Sequence, residues 1–154
     1  MISSYRAQSD LDYESAALLF REYARWLDID LSFQRFDEEL NQLKVMYGEP
    51  GGAIFLSTKG ELLSGCVAIR RLTDVTAELK RMYIVPQCRN QGIAESLLKK
   101  AITFASQKDY QFINLDTLDN MLPAISLYKK FGFCEVGAYY FNPHPNTLYF
   151  QKVL

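Results

Sequence analysis

The feature that most constrains this chain is a change in the period of its apolar residues. Between residues 53 and 85 they alternate in three short runs, Ala53 to Ser57, Leu62 to Arg71 and Ala77 to Val85. Turn segments, Thr58 to Glu61 and Leu72 to Thr76, separate them. A period of two reads as half-buried strands, and Pro86 ends the third. The period then lengthens. Ile93, Leu97, Leu98, Ala101, Ile102 and Ala105 share one face of a helix that follows Gly92. Phe112 to Leu118 returns to a strand. Strand, helix, strand in that order predicts a parallel pair with a right-handed crossover beside an antiparallel meander.

The flanks extend this plan. Ala16, Leu19, Phe20, Tyr23, Trp26 and Leu27 line one face of a first helix that starts near Asp10 and breaks at Asp28 to Ser32. Phe33, Phe36, Leu40, Leu43 and Tyr47 predict a second helix, with Asp37, Glu38 and Glu39 near its positive end. Pro123 opens and Gly132 closes a further short helix. Phe133 to Phe141 and Thr147 to Leu154 read as the last strands. The expected architecture is α/β, a mixed and mostly antiparallel sheet with helices on both faces. One domain over residues 1–154 suffices, since a chain this long buries about 70% of its unfolded surface.

Composition removes several function classes. Seventeen Lys and Arg against 18 Asp and Glu give a net charge of −1, which argues against nucleic acid or an anionic membrane as partner. No apolar run reaches the roughly 18 residues of a spanning helix, and Met1 to Arg6 has no signal-peptide character. The cysteines Cys66, Cys88 and Cys134 are far apart and odd in number, and His144 is the single histidine. A disulfide framework and a metal site are poor readings of that set. Reduced thiols point to the cytoplasm.

The chemistry concentrates in Tyr83-Ile-Val-Pro-Gln-Cys-Arg-Asn-Gln-Gly-Ile-Ala94, where a strand gives way to a helix. Free amides and the dipole make a helix start an anion site. Gly92 permits close approach, Ala94 keeps the next position small, and Arg89 adds a charge suited to phosphate. The same residues also suit an ordinary strand-to-helix turn.

Arg89, Gly92 and Ala94 resemble the [Q/R]-x-x-G-x-[G/A] loop of the GCN5-related N-acetyltransferase (GNAT) superfamily. Asn120 and Ala124-Ile-Ser-Leu-Tyr128-Lys-Lys-Phe-Gly-Phe133 resemble its later A-x-x-L-Y-x-x-x-G-F segment. Glu78 to Tyr83 and Leu115 to Leu118 look typical of its small bacterial members. The resemblance covers nearly the whole chain and is weakest before residue 50. It implies the acyl-CoA N-acyltransferase fold, with the parallel pair splayed apart around acetyl-CoA and no metal. It puts the pyrophosphate on the amides of Arg89, Asn90, Gln91, Gly92, Ile93 and Ala94. The pantetheine arm would pair with backbone at Met82 and Ile84, beside Val85, and touch Asn120.

Two catalytic residues are expected. Tyr128 matches the family tyrosine, and a phenol with pKa near 10 stays protonated to supply a leaving thiolate. Glu78 is the candidate base, because freeing an alkylamine of its proton at pH 7 costs about 4 kcal/mol. Strand alternation predicts Glu78, Lys80, Met82 and Ile84 on one face. Glu78 also fits a strand-edge carboxylate paired with Lys80 or Arg70. Cys88 beside Arg89 reads as a small loop residue rather than a nucleophile, and His144 as an exposed loop residue.

The acceptor, a small-molecule or peptide amine, is expected between the first two helices and the Asn142 to Asn146 loop. Trp26, Phe33, Phe36, Tyr139, Tyr140 and Phe141 supply aromatics there, and Asp28, Asp30 and Asp37 supply acids. The expected reaction is direct attack by the amine in a ternary complex. Alternatives are a non-catalytic CoA-binding sensor or regulatory module, and an acyltransferase for a longer chain or a hydroxyl acceptor. The last aromatic strands suit either a homodimer interface or the core of one chain.

Overall fold

A computed structural model describes residues 1–154, the side chain of Phe33 excepted. Its strands are β1 (Ile2–Arg6), β2 (Ala53–Lys59), β3 (Leu62–Arg71), β4 (Thr76–Ile84), β5 (Phe112–Leu118), β6 (Cys134–Val136) and β7 (Thr147–Val153). They form one seven-stranded sheet in the order β1-β2-β3-β4-β5-β7-β6. Only β4 and β5 run parallel; the other neighbours are antiparallel. The meander and the strand–helix–strand unit are therefore both present.

The first helix, α1 (Asp10–Leu27), is capped by Ser9, whose side chain accepts from the Asp12 amide while Asp12 returns the bond. This reciprocal cap makes Ser9 the start signal in place of Asp10. The helix after Gly92, α4 (Ile93–Gln107), buries Ile93, Leu97, Leu98, Ala101, Phe104 and Ala105 against β2, β3 and β4. Adjacent residues Tyr83 and Ile84 meet opposite layers. Tyr83 packs on Tyr23 and Trp26 of α1, and Ile84 meets Gly65 beside Ile93 of α4. Helices therefore cover both faces. The last helix, α5 (Leu122–Lys130), ends before Gly132, whose φ of +89° suits glycine.

Four expectations need correction. The strand β1 was not expected; its Ile-Ser-Ser-Tyr-Arg carries little apolar signal because it is a sheet edge paired only to β2. The single helix predicted over Phe33 to Tyr47 is broken. A short 3-10 turn (Ser32–Gln34) precedes α2 (Phe36–Asn41) and α3 (Leu43–Met46), because Arg35 adopts φ 58° and Gln42 leaves the helical region. The strand predicted from Phe133 to Phe141 stops at Val136, and Tyr139 and Tyr140 instead turn inward to bond Glu78 and Asp116.

The fourth correction concerns β4. Ala68 pairs with Lys80 and Cys66 with Tyr83, so β4 carries one extra residue across this step. Such a bulge reverses the alternation beyond it. Glu78 and Lys80 stay on the α1 side with Tyr83, and Met82 and Ile84 turn to the α4 side. Arg81 absorbs the irregularity at φ 59°. Its guanidinium is held by both carboxylate oxygens of buried Glu39 at 2.9 and 2.8 Å and lies over the Phe36 ring.

Candidate functional site

The parallel pairing of β4 with β5 runs from Thr76↔Phe112 only as far as Glu78↔Asn114. Past that point the strands separate. The Val85 amide bonds to the Ser64 carbonyl of β3 at 3.0 Å. Alternation then turns the Met82 and Ile84 backbone groups away from β3, toward the gap. The Ile84 carbonyl accepts from Arg89 Nε at 3.0 Å. A strand edge is thus open along one side of a widening cleft.

A cavity of about 700 Å³ fills this cleft. Of the residues expected to hold the cofactor, Met82, Ile84, Arg89, Asn90, Gly92, Ile93, Ala94 and Asn120 line it; Val85 and Gln91 do not. Val85 is buried with its amide used by β3, and Gln91 is exposed and accepts from Lys59. The start of α4 borders the cavity without a side-chain cap. Gly92 has φ +81°, and a Cβ built there meets nothing within 4 Å. Uncapped amides beside open space form an anion cradle. Arg89 lies 4.6 Å from the Trp26 ring centre, which fixes its guanidinium at the cavity wall.

A second, smaller cavity of about 60 Å³ adjoins the first. The two share Leu27, Met82, Leu118, Met121, Ala124 and Tyr128 as common walls. Tyr128 is buried, burial pushes its phenol upward, and its hydroxyl has no hydrogen-bond partner among the described residues. It stands where the cavities meet, protonated at neutral pH.

Glu78 lies outside the walls of both cavities. Its carboxylate accepts from Arg70 Nε at 2.8 Å and from the Tyr139 hydroxyl at 2.6 Å, with Lys80 Nζ 4.0 Å away. The carboxylate on the smaller cavity is Asp116 of β5. Burial pushes the Asp116 carboxyl up, opposed by a 2.7 Å hydrogen bond from Tyr140. Sequence reasoning passed over Asp116. The available signal was an acid inside a strand whose neighbour Leu115 is core.

His144, Asn142, Gln34 and Thr147 also line the smaller cavity, so the last loop reaches its wall. Asp28, Asp30 and Asp37 are exposed and line neither cavity, and Phe141 is exposed. Cys88 is buried in the wall of the larger cavity. Among the described residues, no three His, Cys, Asp or Glu side chains gather as metal ligands, and no helix is long and apolar enough to cross a membrane.

A sequence model of the acetyltransferase (GNAT) family matches residues 15–133. An uncharacterised N-acetyltransferase of Schizosaccharomyces pombe is 37% identical over 153 residues, spanning 97% of this chain and 92% of the relative. An acetyltransferase from Streptococcus agalactiae superposes with a TM-score of 0.81 at 20% identity, covering 99% of this chain and 98% of that one. A GNAT family acetyltransferase from Elizabethkingia anophelis with acetyl-CoA bound gives a TM-score of 0.70 at 20% identity, covering 99% and 98%. At that identity the solved structures speak to the fold.

Proposed function

The chain belongs to the acetyltransferase (GNAT) family, and from that premise we propose that residues 1–154 form one catalytic domain that transfers the acetyl group of acetyl-CoA to a primary amine in a ternary complex. The observation that carries this reading is the meeting of two cavities at Tyr128, the larger bordered by an open strand edge and an uncapped helix start. The residues fit acetyl-CoA. The cradle from Arg89 to Ala94 suits its pyrophosphate, the Met82 and Ile84 edge suits the pantetheine amides, and Asn120 stands on the same wall. The related Elizabethkingia protein holds acetyl-CoA on the same fold.

Each residue then has a task. Backbone N–H groups on the β4 edge point where charge develops on the thioester oxygen. The Tyr128 hydroxyl donates its proton to the departing thiolate. Asp116 receives a proton from the acceptor amine, a role favoured by a carboxyl that burial has made more basic. Glu78, behind the wall, orients Arg70, Lys80 and Tyr139. Amine and thioester occupy separate cavities with a shared wall, which supports direct transfer.

Calorimetric titration with acetyl-CoA, followed by thiol release with an amine panel, tests the reading. Saturable binding with amine-dependent release is expected; no binding by a folded chain sinks it, and binding without release favours the sensor alternative. Tyr128→Phe should lower kcat at least about 100-fold with acetyl-CoA affinity nearly unchanged. Unchanged turnover removes Tyr128 from the chemistry.

Asp116→Asn carries a signed pH prediction. A carboxyl raised in the folded state contributes stability below its unfolded value of about 3.9 and loses it as pH rises through the folded value. At pH 7, well above the unfolded value, the raised carboxyl disfavours folding. The variant should therefore melt higher than the parent at pH 7, lose that advantage below pH ~4, and transfer acetyl about 100-fold more slowly. Equal melting temperatures at pH 7 would contradict the burial argument.

A further inference from the structure

We propose that the smaller cavity is built for a free amino acid, an acceptor carrying a carboxylate close to its amine. The proposal rests on the acetyltransferase reading and names the acceptor class within it.

The charge pairing behind the cavity carries the argument. Buried Arg81 is satisfied by Glu39 at 2.9 and 2.8 Å, and Arg70 by Glu78 at 2.8 Å. Lys80 and Asp116 are matched less fully, Lys80 by a 4.0 Å ion pair to Glu78 and Asp116 by one hydrogen bond from Tyr140. Lys80 has a side chain only 8% exposed, and the carboxylate nearest its ammonium, Glu78 at 4.0 Å, already serves Arg70 and Tyr139. Among the described residues, no hydrogen bond reaches Lys80 Nζ. Across the cavity Asp116 accepts only from Tyr140. The register explains why these two share a face with no hydrogen bond between them. The last parallel pair is Glu78↔Asn114, and Lys80 and Asp116 sit two residues further along each strand, on the same face, where the strands have parted.

A cation and an anion thus look across one gap, matching the two ends of a zwitterion. The acceptor's carboxylate meets Lys80, and its ammonium meets Asp116. A peptide N-terminus has an amide in place of the carboxylate and leaves Lys80 unmatched. A polyamine brings only positive charge. The volume of about 60 Å³ also favours a compact acceptor.

The transfer balances. The ammonium gives one proton to Asp116, which passes it to solvent. The nitrogen bonds to the acetyl carbon as the carbon–sulfur bond breaks, and the departing thiolate takes the Tyr128 proton. The second nitrogen proton restores Tyr128.

The test is thiol release from acetyl-CoA by the wild-type protein with free amino acids, their methyl esters, the matching decarboxylated amines, dipeptides and spermidine. At least one free amino acid should exceed its own ester and amine about 100-fold in kcat/KM, because those analogues leave Lys80 unpaired. Lys80→Met should collapse that ratio to near one. Equal turnover of acids, esters and amines overturns the proposal, as does turnover confined to dipeptides or spermidine. Acetyl-CoA binding without thiol release from any amino acid also overturns it. Loss of acetyl-CoA binding itself, read by calorimetry, would instead fell the underlying acetyltransferase reading. The wild-type panel decides the matter even if Lys80→Met does not fold.

Discussion

Gly92→Glu should reduce acetyl-CoA affinity at least about 100-fold, close to 2.7 kcal/mol, while the chain still folds cooperatively. Two effects combine. The new side chain enters the open space above the α4 start, where a Cβ meets nothing within 4 Å, so it blocks a ligand and not the core. Its carboxylate then takes the free amides and the positive dipole end that would otherwise receive the pyrophosphate. The positive φ of 81° adds a backbone cost of about 1–2 kcal/mol. Gly92→Asn separates the two, since asparagine tolerates that conformation and brings no charge. It should keep more affinity than the glutamate variant. Normal acetyl-CoA affinity in Gly92→Glu, measured by calorimetry, would place the pyrophosphate elsewhere.

Glu39→Gln should be the most destabilising of the substitutions considered. Arg81 is 5% exposed and Glu39 1%, and the carboxylate grips the guanidinium twice. Removing one partner leaves a buried charge uncompensated, at a cost of about 3–5 kcal/mol. For a chain of this length that lowers Tm by roughly 10 °C or more. Adding Arg81→Met should recover much of the loss, because the stranded charge goes with it. Thermal unfolding of the single and double variants reads this directly; a loss below about 1 kcal/mol in the single variant would mean that solvent reaches Arg81. The pair also carries an acid dependence. Burial alone raises the Glu39 carboxyl, but the hydrogen bonds and charge of Arg81 outweigh it and hold the group below its ordinary value. Its stabilisation is complete above the unfolded glutamate value of about 4.3 and is lost as pH falls through the lower folded value.

The two large effects differ in how far each was legible in the chain. Gly92 belongs to a contiguous stretch whose residue types announce a helix start and a close approach, and an uncapped helix start beside a cavity stands there. Tyr128 came instead from the resemblance of a short segment to the family pattern. Arg81 announced nothing. Leu-Lys-Arg-Met-Tyr alternates as any strand does, and its bulge accompanies an ion pair to Glu39, 42 residues earlier. That bulge sends Met82 and Ile84 to the opposite face from Glu78. Asp116 was passed over for a related reason. Its surroundings come from Tyr140, 24 residues away, in a segment that reads as strand but folds as loop.

Local order therefore determined the period changes, the strand–helix–strand unit and the uncapped helix start at Gly92, because each depends on backbone geometry and neighbours within a few residues. The tertiary structure decided which carboxylate lines a cavity. Glu78 and Asp116 sit on adjacent strands, and nothing in the local chain distinguishes their surroundings. Arg70 and Tyr139 neutralise and enclose the first, while the parting of β4 and β5 leaves the second on the cavity wall. Burial and charge pairing are sums over non-local contacts, and they exist only once the strands have separated.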